Sequence, residues 1–126
     1  MKEQKEWQIK LYKTIAGRCP IKDFMKTLNK KDKENMTKQI LYLKEVGKKL
    51  NMPHGKKLRD DIYELRITLA NNNTRTFYFF CYENYIVLTH TFIKKKSKVP
   101  DNEIEKAIKY KNDFIKRFNK DNIKGA

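Results

Sequence analysis

The stretch from residue 56 to residue 96 contains three runs rich in β-branched and aromatic residues, separated by short breaks that contain asparagine. The first run includes Tyr-Glu-Leu-Arg-Ile, the second reads Thr-Arg-Thr-Phe-Tyr-Phe-Phe, and the third reads Tyr-Ile-Val-Leu-Thr-His-Thr-Phe-Ile. Residues of this kind favour strands, and breaks of this kind favour tight turns. The stretch therefore predicts a meander of three antiparallel strands against which the other elements must pack.

The segments outside the meander predict one more strand and three helices. Partial alternation of apolar and polar residues indicates a strand over residues 7–15. Two helices should follow, one over residues 21–29 and one from the N-cap Asp32 to Gly47. The lysine-rich connection over residues 48–57 is predicted to be a basic loop. A third helix should open at Pro100, with a buried stripe of Ile104, Ala107, Ile108, Ile115 and Phe118.

The resulting order, β-α-α-β-β-β-α, is typical of an α+β domain. We expect a small, antiparallel-rich sheet with the helices packed on one of its faces. A length of 126 residues fits a single domain over residues 1–126. The polar ends, residues 1–6 and 119–126, are expected to be frayed.

The chain is strongly basic, with 30 Lys and Arg against 15 Asp and Glu and a formal net charge of +15. Such a charge indicates a polyanionic partner, namely nucleic acid, a ribosome or an acidic protein. A generally lysine-rich composition without functional meaning is the alternative. The sequence contains no apolar run of membrane-spanning length and no signal-peptide pattern, so we expect a cytoplasmic protein that does not bind membranes.

Cofactor and metal motifs are missing from the sequence. Cys19 and Cys81 form no Cys-x-x-Cys pair, and no His/Cys cluster suggests zinc. A glycine-rich phosphate loop and a carboxylate cluster for magnesium are also absent. The sequence therefore predicts no metal and no cofactor.

Several cationic side chains fall inside or at the ends of the predicted meander strands, and they are Arg66, Arg75, His90, Lys94 and Lys95. A guanidinium group binds phosphate oxygens through two hydrogen bonds and stays charged at any working pH. The alternative for Arg66 and Arg75 is a structural ion pair with Glu64, Asp60 or Asp61. The alternative for His90 is a core position, because strand alternation places it on one face with Ile86, Leu88 and Phe92.

Motifs spread over the second half of the chain carry a resemblance to a known family. They are Lys57-Leu58, Tyr63-Glu64-Leu65-Arg66, Thr74-Arg75-x-Phe77-Tyr78-Phe79, Leu88-Thr89-His90-Thr91-Phe92-Ile93-Lys94-Lys95, and Val99-Pro100 with Glu103, Ile104 and Ala107. In this combined order they resemble HigB-type toxins of the RelE/ParE superfamily, including phage-derived members. The resemblance extends from about Trp7 to Phe118.

The resemblance implies a RelE-like fold and the toxin of a type II toxin-antitoxin system. It implies a ribosome-dependent endoribonuclease that cuts mRNA without a metal, by attack of the substrate 2′-hydroxyl on the adjacent phosphorus. It also implies a cognate antitoxin of the helix-turn-helix (HigA) type, with which the toxin forms a hetero-oligomer.

The resemblance and the chemistry of the side chains together assign roles to individual residues. Arg66 and Arg75 should stabilise the charge of the transition state, and His90 could be the acid or the base. Either Lys94 or Lys95 should contact the scissile phosphate. Lys56 and Lys57 are expected to grip RNA. His54 is expected to be an exposed histidine of the basic loop without a special role, and a contact with RNA is the alternative. The rings that could stack on a base or fill the core are Tyr63, Tyr78 and Phe92.

Two other functions remain open on the sequence alone. A gyrase poison of the ParE type could use the same fold, because a fold does not fix a function. A basic RNA-binding module without catalytic activity would show the same net charge.

Overall fold

A computed structural model describes residues 6–118. The predicted fraying of residues 1–6 and 119–126 therefore lies outside the described residues, except at Glu6, whose carbonyl accepts a hydrogen bond from the Asn84 side chain. The elements in chain order are β1 (Gln8–Leu11), α1 (Pro20–Met25), α2 (Lys30–Val46), β2 (Gly55–Lys57), β3 (Tyr63–Thr68), β4 (Asn73–Cys81), β5 (Tyr85–Ile93) and α3 (Asp101–Arg117). A single 3-10 turn, Gly47–Lys49, follows α2.

The five strands form one mixed sheet in the order β1-β5-β4-β3-β2. The pair β1–β5 is parallel, and the other three pairs are antiparallel. This architecture confirms the predicted α+β class and the meander, which is β3-β4-β5. The prediction of a loop over residues 48–57 was wrong at its end, since Gly55–Lys57 pairs with β3. Three residues are too few to show the alternation by which a strand is recognised.

Helices cover both faces of the sheet, and the prediction that they share one face was wrong. On one face, Ile21 of α1 and Met36 and Leu43 of α2 belong to a buried cluster with strand residues such as Leu65 and Leu88. On the other face, a second cluster joins α3 to the sheet through Ala107, Phe114, Phe77, Phe79 and Val87. Successive residues Tyr85 to Leu88 of β5 are all buried, as expected for a strand covered on both sides.

The helix boundaries differ from the predicted ones by up to four residues. Asn29 is the N-cap of α2, because its side chain accepts a hydrogen bond from the Asp32 backbone N–H at 2.8 Å. Asp32 thus lies in the first turn, where its charge is favourable. α3 begins just after Pro100, as predicted. Within its predicted stripe Ile115 is 48% exposed, and Phe114 is the buried residue instead.

A bulge in β5 changes which residues face α3. Phe77 pairs with His90 and Tyr78 pairs with Leu88, so Thr89 has no opposite residue on β4. An extra residue in one strand reverses the side-chain alternation beyond it. His90 therefore lies on the α3 face beside Phe77, and its predicted place on one face with Ile86 and Leu88 was wrong.

Gly47 ends α2 at a position that only glycine can occupy without strain. Its φ is +56°, and an added Cβ would lie 2.0 Å from the Trp7 indole nitrogen. We expect Gly47→Ala to lower the free energy of unfolding by about 2–5 kcal/mol, the sum of a left-handed backbone and an overpacked site. Chemical denaturation of the variant measures this loss.

Gly17→Ala is the matched control, because Gly17 also has a positive φ, of +91°, but nothing lies within 4 Å of its added Cβ. Gly17→Ala should therefore lower the free energy of unfolding only by the contribution of the positive-φ backbone. Equal losses in the two variants would contradict a steric role for Trp7.

Candidate nucleic-acid interface

Two neighbouring strands place the predicted arginines side by side. Arg66 of β3 and Arg75 of β4 are direct Cα partners, and Glu64 and Phe77 form the next pair on the same face. Directly opposed residues have their Cβ atoms about 4.5–5.5 Å apart, close enough for both guanidinium groups to contact one phosphate. The antiparallel register is thus what brings the two cations together.

Glu64 lies between the two arginines and is 0% exposed. Arg66 Nε donates to Glu64 Oε2 at 2.9 Å, and Arg75 Nε lies 3.5 Å from Glu64 Oε1. The ion pair with Glu64 that the sequence left open as a structural alternative therefore exists for both arginines. Because one carboxylate serves two guanidinium groups, the three side chains retain one positive charge.

The ion pair with Glu64 offsets only part of the cost of burying the Arg75 charge. Its side chain is only 12% exposed. Burial lowers the pKa of Arg75, Glu64 opposes this effect, and the neighbouring Arg66 charge adds to it. Arg75 Nε and Glu64 Oε1 are buried and have no hydrogen-bond partner among the described residues. An anion bound at Arg75 would stabilise its charged guanidinium group.

The arginines open onto a pocket of about 450 Å³, here called the arginine pocket, which is lined by Gln39, Pro53, His54, Arg66, Thr68, Asn73 and Arg75. It lies at the edge of the sheet where β2 begins, since the Arg66 backbone N–H donates to the His54 carbonyl at 2.8 Å. Its lining carries cationic, amide and hydroxyl groups, which suits a phosphate with its attached sugar. The sequence did not identify Gln39, Thr68 and Asn73, whose positions depend on long-range packing.

His54 is the histidine that the fold brings to the arginine pocket. It is exposed and contacts Tyr42 of α2 edge-on, with ring centroids 5.2 Å apart. The sequence favoured an exposed loop histidine without a special role here, with a contact to RNA as the alternative. It lines the same pocket as both arginines, and an imidazole ring can donate or accept a proton there.

His90, the predicted acid or base, does not line the arginine pocket. It is 4% exposed and packs against the rings of Phe77, Phe92 and Tyr110. Its Nε2 lies 2.9 Å from Glu103 Oε1, and its Nδ1 lies 3.1 Å from the Thr89 hydroxyl. With both ring nitrogens engaged, His90 joins β5 to the first turns of α3.

Burial lowers the pKa of His90, and the Glu103 carboxylate offsets this effect only in part, while Lys106 adds to it. The unfolded chain then binds a proton more readily than the folded chain. Stability should therefore fall as the pH drops below the ordinary histidine pKa of about 6.5. We expect the Tm of the wild type to fall over this range by more than that of His90→Gln, as measured by thermal unfolding at a series of pH values.

The control for this measurement is His54→Gln, which removes an exposed histidine and should keep the wild-type pH response. If the Tm of wild type and the Tm of His90→Gln fall in parallel on acidification, the pKa of His90 is not lowered in the folded protein.

The two lysines at the end of β5 differ in their surroundings. Lys94 Nζ donates to the carbonyls of Lys96 at 2.7 Å and Ser97 at 3.0 Å, so it closes the turn after the strand. Lys95 is exposed. Neither lines the arginine pocket, although the Lys94 backbone N–H donates to the carbonyl of the lining residue Asn73. Of the two, Lys95 has its ammonium group available to a phosphate.

The predicted RNA-binding lysines lie on β2. Lys56 is the Cα partner of Glu64 and is exposed, so it extends the cationic row next to the arginines. Lys57 is the partner of Tyr63 on the opposite face, where its Nζ lies 5.8 Å from the Tyr63 ring centroid and 3.3 Å from Asp61 Oδ1. Only Lys56 therefore shares a sheet face with Arg66 and Arg75.

The three predicted stacking rings are not equally accessible. Tyr78 is 2% exposed in the α1–α2 cluster, where burial raises the pKa of its hydroxyl, so its assignment as a base-stacking residue was wrong. Its place on that face follows from the regular alternation of β4, whose residues Phe77 and Phe79 face α3. Tyr63, stacked on Tyr78 at 5.5 Å, is half-buried. Phe92 is half-buried next to Arg75, its Cα partner.

The described part of the chain, residues 6–118, offers neither a metal site nor a membrane-spanning helix. No group of three or more His, Cys, Asp or Glu side chains there is arranged to hold a metal ion. The helices in this part of the chain are too short or too polar to cross a membrane.

The fold and the pocket together define a small basic α+β protein with a cationic pocket at the edge of its sheet. Comparison with known families agrees with this class. Residues 23–112 match the family described as "Phage derived protein Gp49-like (DUF891)". The chain therefore belongs to this family, which is of the RelE/HigB-like toxin kind and is compatible with the toxin of a toxin-antitoxin system. A search of curated proteins found no match.

Proposed function

We propose that this protein is the toxin of a type II toxin-antitoxin system and acts as a ribosome-dependent mRNA endonuclease of the HigB type. The observation that carries the proposal is the pair of adjacent guanidinium groups, Arg66 and Arg75, that opens onto the arginine pocket. Their residual positive charge complements a phosphodiester, and the net charge of +15 suits a ribosomal RNA surface.

The proposed reaction needs no group beyond the substrate and the protein side chains. The 2′-hydroxyl attacks the adjacent phosphorus, a base accepts its proton, and an acid protonates the leaving 5′-oxygen. Arg66 and Arg75 stabilise the additional negative charge on the phosphate oxygens. A cyclic phosphate and a free 5′-hydroxyl are then the products.

We assign a proton transfer to His54 in this reaction, because His54 lines the arginine pocket and His90 does not. His90 is assigned a structural part, since its two ring nitrogens already have partners. Lys95 is the available lysine for a further phosphate contact, and Lys56 extends the binding surface along the sheet. Phe92, next to Arg75, is the proposed stacking ring.

The family supports an antitoxin as the natural partner. We propose a helix-turn-helix antitoxin that forms a hetero-oligomer with this chain. Against a protein of charge +15, its contacting surface should be acidic.

The test is to map mRNA 5′ ends in a purified translating system with wild type and the Arg66→Ala/Arg75→Ala double variant. New ends inside codons that require ribosomes and disappear with the folded double variant are expected. If the protein arrests growth but produces no new ends, it is not an mRNA endonuclease. DNA breaks with intact transcripts would then indicate a gyrase poison, and RNA affinity without either product would indicate a binding module.

A further inference from the structure

Both arginines contact Glu64 through the same kind of atom. The contacts are made by Nε of Arg66, at 2.9 Å, and by Nε of Arg75, at 3.5 Å. The terminal nitrogens of Arg66 make no hydrogen bond within residues 6–118, and Arg75 uses one of its two, Nη1, on the Thr74 carbonyl at 3.2 Å. One carboxylate thus forms a hydrogen-bonded ion pair with Arg66 and a longer ion pair with Arg75. The outer nitrogens other than Arg75 Nη1 are left for a ligand.

Glu64 itself cannot touch a substrate, because it is 0% exposed and lies behind the arginines at the pocket. Its strand neighbours are Lys56 on β2 and Phe77 on β4, which close it in from both sides. Burying a carboxylate here is costly unless its charge is paired. Glu64 can therefore affect a bound substrate only through Arg66 and Arg75.

We propose that Glu64 is a positioning residue, which orients both guanidinium groups toward a single phosphodiester and keeps the charge of the site at one unit. This inference rests on the proposed function. A phosphodiester carries one negative charge, so the two arginines and Glu64 together match it. Without Glu64 the arginines would attract RNA at least as well but would hold the phosphate in a less defined geometry, which lowers the rate of the chemical step.

Glu64→Gln tests this assignment, since glutamine keeps the shape and one acceptor oxygen but removes the charge. We expect kcat for RNA cleavage to fall about 10- to 100-fold, while the affinity for RNA stays equal or increases. A purely structural role would lower affinity, rate and Tm together. Unchanged kcat, or loss of affinity in parallel with kcat, would overturn the proposal.

Two further variants make the result decisive. Glu34→Gln removes an exposed carboxylate from α2 and should behave as wild type. Glu64→Asp keeps the charge but is one methylene shorter, so it should cleave at a rate between those of wild type and Glu64→Gln with unchanged RNA affinity. It replaces Glu64→Gln in the comparison if the glutamine variant does not fold.

NMR of the arginine Nε–H groups separates this proposal from the proposed function. In the wild type the Arg66 Nε–H signal should be protected from exchange, and in Glu64→Gln it should shift and lose this protection. Titration with a short DNA oligonucleotide, which lacks the 2′-hydroxyl, should move the Nη signals of both arginines in the wild type. If the wild type never cleaves RNA, the nuclease proposal fails, and the Nε–H signals still decide the role of Glu64. Identical Nε–H signals in the two proteins would refute it.

Discussion

Arg75→Ala should reduce RNA cleavage about 100- to 1000-fold, the loss typical when one preorganised charge stabiliser is removed from an active site. The side chain is 12% exposed and only partly compensated by Glu64, so its charge acts in a poorly solvated position. Arg66→Ala should reduce the rate of RNA cleavage by a smaller factor, because the Arg66 side chain is 27% exposed and its charge is more screened by water. Initial rates of cleavage on translating ribosomes, with circular dichroism to verify folding, measure both effects.

Arg18→Ala is the matched control for both variants. Arg18 is a surface arginine whose side chain is 79% exposed, and its ion pair with Asp23 does not involve the arginine pocket. It removes the same charge from the chain and should cleave RNA at the wild-type rate. Full activity of folded Arg75→Ala would show that Arg75 does not act on the phosphate.

The second large loss of cleavage activity is expected when His54 is replaced. If His54 transfers a proton, His54→Gln should lower kcat about 100- to 10,000-fold, the range found for general acid–base catalysis. His54 is exposed and its ring contact is with Tyr42, so the variant should remain folded. The measurement is the pH dependence of single-turnover cleavage, in which the variant should lose one limb of the wild-type profile.

His90→Gln provides the comparison within the same fold. Removing its hydrogen bonds to Glu103 and Thr89 should lower Tm, while the pH profile of cleavage keeps its wild-type shape. The reverse result, a changed profile for His90→Gln and a normal one for His54→Gln, would return the proton transfer to His90.

Much of the fold could be predicted from local sequence patterns. The meander and the start of α3 depend on strand-forming runs, Asn-containing turns and a proline, which are all read from neighbouring residues. The short strand Gly55–Lys57 could not be found in this way, because its pairing with β3 is what makes it a strand. The sequence also could not show that helices cover both faces of the sheet, because local patterns do not determine where the three helices pack.

The candidate site was predictable in its types of residue but not in its geometry. Arg66 and Arg75 could be selected because guanidinium groups are suited to phosphate. His90 could not be placed, because one unpaired residue, Thr89, reverses the alternation in β5. The roles of Glu64 and His54 depend on contacts across strands and loops. A buried glutamate on a strand is itself a signal that a cation lies next to it.

The order of the elements along the chain has a consequence for synthesis. β1 is made before β5, whose paired residues follow 77 positions later, so the parallel pair is among the last contacts that folding can form. The face that contains Phe77, Phe79 and Val87 remains uncovered until α3 has left the ribosome. During translation the nascent chain thus presents an aromatic surface that a chaperone or an early-bound partner can occupy.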